Sequence, residues 1–94
     1  MFLTVIVLVE PSGAQTVVDP DAVKTALARH HLSGPIEHIR VRTSPGEVHI
    51  GVLSLTQTQA DADAAASRLC RDTIEAEPGL RGWLLRAAPS DRLA

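Results

Sequence analysis

The run Phe2–Val9, inside the opening "MFLTVIVLVE", constrains the fold more than any other stretch. It is aliphatic and β-branched almost throughout, with Thr4 as its one polar member. A strand with one wet face alternates apolar and polar residues, whereas a strand apolar at consecutive positions is expected at the centre of a sheet, covered on both sides. Glu10-Pro11 ends the run well short of the ~20 residues a helix needs to cross a bilayer. The run also lacks the basic start and small-residue cleavage site of an export signal, so the expectation is a cytoplasmic protein. Whatever the rest of the chain does, it must supply cover for two faces of this strand.

The following segments are set off by turn formers. "EPSGAQTVV" is a loop, and Asp19-Pro20-Asp21 then opens a helix, with Asp19 as N-cap and Pro20 at the first helical position. Val23, Ala26, Leu27 and His30 recur at helical spacing, and Ser33-Gly34-Pro35 stops the helix, with Gly34 just past its last turn. "IEHIRVRTSPGEVHIGVLSL", residues 36–55, reads as two strands joined through Ser44-Pro45-Gly46-Glu47. "TQTQADADAAASRLCRDTIEAE" reads as a second helix, capped by Thr56 or Thr58 and ending at Glu77 before Pro78-Gly79. Its inward residues should be Ala62, Ala66, Leu69, Thr73 and Ile74, with Cys70 beside them. "GLRGWLLRAAP" is expected as a last strand, giving one domain over 1–89 and a frayed tail at 90–94.

The element order β-α-β-β-α-β resembles the ferredoxin-like fold, the α/β plait, over nearly the whole chain. That resemblance implies an α+β sandwich: a four-stranded antiparallel sheet of order 4-1-3-2 with both helices on one face. If Ser44 to Glu47 close the central hairpin, Val41 faces Ile50 and Ile39 faces Val52 on the helix side. Arg42 then sits across from His49, Arg40 from Gly51, His38 from Leu53 and Ile36 from Leu55 on the other side. The first strand brings either Phe2, Thr4, Ile6 and Leu8 or Leu3, Val5, Val7 and Val9 to that helix-free face. Both sets are mostly apolar, and a bare face of that character is more than a monomer usually exposes. We therefore expect a homo-oligomer, or a complex with a protein partner, formed through the sheet, with Ile6, Leu8, Leu53, Leu55 and Trp83 in the contact. His38, Arg40, Arg42 and His49 border it as candidate contacts for an anion or a partner, unless the arginines are simply solvated cations on an edge strand.

Composition narrows the chemistry. The chain has one Phe, one Trp and no Tyr, so the aromatic platforms on which RNA-binding sheets stack bases are missing. Its net charge of −2 gives no general attraction for nucleic acid or an anionic membrane, and neither is expected as a partner. His30 and His31 are adjacent, hence ~100° apart on a helix and unable to share an ion. His38 and His49 are flanked by arginines, and no Cys-x-x-Cys occurs, so no metal is expected. "PSGAQTVVDPDA" has one glycine and opens its helix with aspartates, which disfavours a phosphate loop. Cys70, the only cysteine, fits a reducing compartment and an inert core position. The sequence thus favours a binding, regulatory or assembly module without cofactor, for which a small-molecule ligand is a candidate. The alternative is a small dimeric α/β-barrel enzyme acting on an apolar organic substrate, with His38 or His49 as acid–base.

Overall fold

In the computed structural model, which describes residues 1–11, 13, 15–30 and 36–87, the chain forms four strands and two long helices. In chain order these are β1 (Phe2–Val9), α1 (Pro20–His30), β2 (Ile36–Ser44), β3 (Glu47–Ser54), α2 (Gln59–Ala76) and β4 (Leu84–Ala87), with a 3-10 turn at Pro78–Leu80 before β4. The sheet is antiparallel and ordered β2-β3-β1-β4, which read from the β4 edge is 4-1-3-2. α1 packs on β2, α2 packs on β1, β3 and β4, and the two helices touch. One cluster unites Val23 and Leu27 of α1 and Leu69 and Cys70 of α2 with Ile6, Leu8, Ile39, Val48, Ile50 and Val52 of the sheet.

Local chemistry starts each helix where the caps require. Asp19 accepts from the Asp21 amide through its carboxylate and from the Val23 amide through its carbonyl, which begins α1. Thr58, not Thr56, caps α2: its hydroxyl accepts from the Asp61 amide at 3.0 Å, while the Thr56 hydroxyl donates to the Thr58 carbonyl. α2 ends at Ala76, one residue before the expected Glu77, which serves as its C-cap. The expected stop at Ser33-Gly34-Pro35 lies outside the described residues, as does the 90–94 tail. Thr58→Ala is expected to cost about 1 kcal/mol in urea unfolding, with Thr58→Ser restoring most of it. An unchanged midpoint for Thr58→Ala would mean the cap does not hold the helix start.

The central hairpin closes as its residues require: Ser44 pairs with Glu47, Val41 with Ile50 and Ile39 with Val52. Pro45 fixes its own φ near −65° and Gly46 takes φ +77°, the pattern of a type II turn, which tends to splay two strands. The β1–α1 loop holds this turn in place. The Glu10 amide donates to the Gly46 carbonyl, and the Gly46 amide donates to the Thr16 carbonyl. The Glu10 carboxylate in turn accepts from both the amide and the hydroxyl of Thr16, each at 2.8 Å.

Three expectations change. The register slips between Ile36 and His38, so Ile36 pairs with Ser54 rather than Leu55. The bulge at Glu37 rotates Ile36 to the helix side, where it packs on the core, and leaves Leu55 exposed beyond the end of β3. β4 is also shorter than the expected strand. The 3-10 turn and Gly82, at φ +89°, delay it, so Trp83 precedes β4 and is buried with Leu80 in the core.

The third change is the phase of β1. Ile6 and Leu8 lie under the helices, 0% and 1% exposed, not on the open face. The cause is Thr4, whose hydroxyl donates to the Asp63 carboxylate of α2 at 2.7 Å. Gln59, also on α2, donates to the same carboxylate oxygen and to the Leu3 carbonyl. The one polar residue of β1 therefore turns inward to meet α2, and its even-numbered neighbours follow.

Candidate functional site

With the even residues of β1 beneath the helices, the odd ones line the open face. Leu3 and Val5 are 55% and 37% exposed there, Val9 is half-buried, and Val7 between Val5 and Val9 is buried. Cross-strand pairing extends the surface: Leu3 opposes Leu53, Val5 opposes Gly51, Val7 opposes His49 and Arg86, and Val9 opposes Leu84. Leu84 is 59% exposed, whereas its neighbour Leu85 opposes Leu8 and packs against the core. An aliphatic band of Leu3, Val5, Leu53, Val9 and Leu84 thus crosses the middle of the sheet with no layer of this chain over it.

β2 contributes the polar side of the same face. His38 sits opposite Leu53, Arg40 opposite Gly51 and Arg42 opposite His49. His49 is also joined to Glu47, two residues earlier on the same strand and face, at 2.9 Å between Nε2 and Oε1. Arg40 and Arg42 have no hydrogen bond or ion pair among the described residues. The other ion-paired region among the described residues is remote, where Arg29 and His30 meet Glu77 at 3.3 and 3.8 Å.

The five interface candidates from the sequence therefore separate. Leu53 lies on the open face. Ile6, Leu8 and Trp83 are core residues, and Leu55 lies beyond the strand end. The four basic candidates all lie on the open face, two of them, Arg42 and His49, directly opposed. Sequence reasoning held Leu3 and Val5 as one of two alternatives for this face and placed Gly51 opposite Arg40, but it singled out neither Leu84 nor Glu47. Glu47 could have been found by simple alternation, since it shares a face with His49 in any extended strand.

No family model, curated protein or solved structure matches the chain. The chemistry of the site rests on its own residues. Among the described residues no group of three His, Cys, Asp or Glu side chains could hold a metal ion, and no helix is long and apolar enough to cross a membrane. His38 and His49 both face away from the space between sheet and helices. That space is filled by Ile39, Val48, Ile50, Val52, Leu27 and Ala66. Cys70 is buried in the same interior, and burial pushes its thiol up to about 12, which leaves it a poor nucleophile.

Proposed function

We propose that the protein is a non-catalytic binding and assembly module of the ferredoxin-like type that pairs with a second copy of itself through the open face of its sheet. One observation carries this reading: β1 is apolar on both faces and central in the sheet, yet on the open face only Val7 is buried, while Leu3 and Val5 are left exposed. Leu3, Val5 and Leu84 are the most exposed members of the uncovered band. Two such faces packed together would bury these aliphatic residues against each other, as the layers of a β-sandwich do. The single cysteine, buried and unpaired, fits a cytoplasmic location.

Size sets the strength of the pairing. A strand of eight residues and a sheet of four strands span a plane of roughly 500 Å², from ~3.3 Å per residue and ~4.8 Å between strands. That is below the ~800 Å² per partner of a standard stable interface, so the pairing belongs to the modest class and should be sought at high micromolar concentration. Sedimentation equilibrium there is expected to show a dimer, and a monomer would overturn the proposal. Val5→Lys and Leu84→Lys, both at exposed positions that do not support the core, should give folded monomers. A dimer that persists in both variants would mean that the contact lies elsewhere.

A further inference from the structure

Gly51 stands in the interior of β3, with β1 and β2 paired on either side of it. A glycine there weakens a strand, and one usually needs a reason: a positive φ, a crowded neighbour, or the close approach of something else. The first two do not hold. Gly51 is not among the glycines with positive φ. A Cβ added to it would lie 3.7 Å from Leu3 Cδ1 and 4.0 Å from Arg40 Cβ, which is ordinary contact. The glycine thus keeps a space open that its neighbours could tolerate having filled.

That space is the floor of a depression of about 560 Å³ on the open face. Its volume is in the range of small-molecule sites. Leu3 and Val5 form one wall, Arg40 and Arg42 the other, and His49 stands beside Gly51. The walls differ in kind. One is aliphatic; the other carries two guanidinium groups, on residues two apart on one strand face whose Cα atoms are thus about 7 Å apart. Both guanidinium groups are without a partner among the described residues. Among the described residues no carboxylate lines the depression, and the nearest along β3, Glu47, is engaged by His49.

We propose that this depression binds a small organic acid, with its oxyanion head on Arg40 and Arg42 and its apolar body lying over Gly51 against Leu3 and Val5. Arginine suits an oxyanion because its fork donates two parallel hydrogen bonds, and the aliphatic wall is matched only by a ligand with an apolar part. The head is a carboxylate or a phosphate; both satisfy the same fork. Every lining residue comes from one chain, but Leu3 and Val5 also belong to the proposed pairing face. Ligand and second copy therefore compete for it, and the titration is run at a concentration where sedimentation shows the monomer.

The test is an NMR titration of the intact protein with octanoate and with octyl phosphate, using octylammonium as the cationic control. One or both anions should saturably shift the backbone amides of Arg40, Arg42, His49 and Gly51, and the stronger of the two identifies the head group. Arg40→Gln with Arg42→Gln should weaken binding at least tenfold, as should Gly51→Val, which fills the floor with a residue suited to a strand. Circular dichroism confirms that each variant is folded. Three results would overturn the proposal: no shift with either anion, equal binding of octylammonium, or undiminished affinity in folded Gly51→Val. Sedimentation of the same samples reports the oligomeric state separately, so a failure to bind and a failure to pair are distinguishable.

Discussion

Ile50→Ala is expected to destabilise the fold by about 2–5 kcal/mol, against a total of roughly 5–15 kcal/mol for a domain of this size. Ile50 is fully buried at the middle of β3, opposed by Ile6 on one side and Val41 on the other, beneath the helices. Truncation removes the transfer energy of the lost methyl and methylene groups and leaves a void that two flanking strands cannot easily close. The informative control lies on the other face of the same sheet. Val5→Ala, measured at concentrations low enough to exclude pairing, should cost within ~1 kcal/mol because Val5 is already partly in water. Urea unfolding followed by circular dichroism gives both values. Equal costs for the two variants would contradict the assignment of covered and open faces.

Alkaline conditions should expose the second large effect, through Cys70. Its thiol is pushed from 9.0 up to about 12 in the folded protein because burial disfavours the thiolate. Below pH 9 the thiol is protonated in both states and contributes no pH dependence. Above pH 9 the unfolded chain releases this proton while the folded chain keeps it, so stability falls as pH rises and the loss is complete once the folded thiol also ionises near pH 12. At about 1.4 kcal/mol per pH unit, the window amounts to as much as about 4 kcal/mol. The background is favourable, since the chain has no Tyr and its only lysine, Lys24, is exposed. Urea midpoints measured from neutral pH upward should fall for the native chain and stay nearly level for Cys70→Ala. Parallel pH profiles for the two proteins would exclude the thiol as the cause.

Element order and hairpin register were legible because they depend on local chemistry. Asp19-Pro20, Thr58 and Pro45-Gly46 each act within a few residues of themselves, and alternation along β3 sorts Val48, Ile50 and Val52 from His49 and Gly51. The faces of β1 were not legible in the same way. Both of its alternating sets are mostly aliphatic, and the set that lies under the helices is the one in which Thr4 meets Asp63, a partner 59 residues away. Ile36 was misassigned for a related reason: a bulge shifts the strand by one residue, and a shift of one exchanges the faces. Trp83 went astray because Gly82 interrupts what otherwise reads as a continuous strand. The basic residues of the open face were found because His38, Arg40 and Arg42 share a face in any register. The depression they border was not found, since its defining feature is a side chain that Gly51 does not have.

The bulge at Glu37 has a further consequence, for how many copies can join. It distorts one outer strand, β2, and the other, β4, has only four residues. The β4 margin is too short to template another strand, and along the regular stretch His38–Ser44 of β2 the exposed cations Arg40 and Arg42 discourage strand addition. Addition at a margin leaves a new margin behind it and can continue without limit. Joining through the broad face uses that face up on both partners. The geometry of the sheet therefore favours an assembly that stops at two over one that propagates as a fibre.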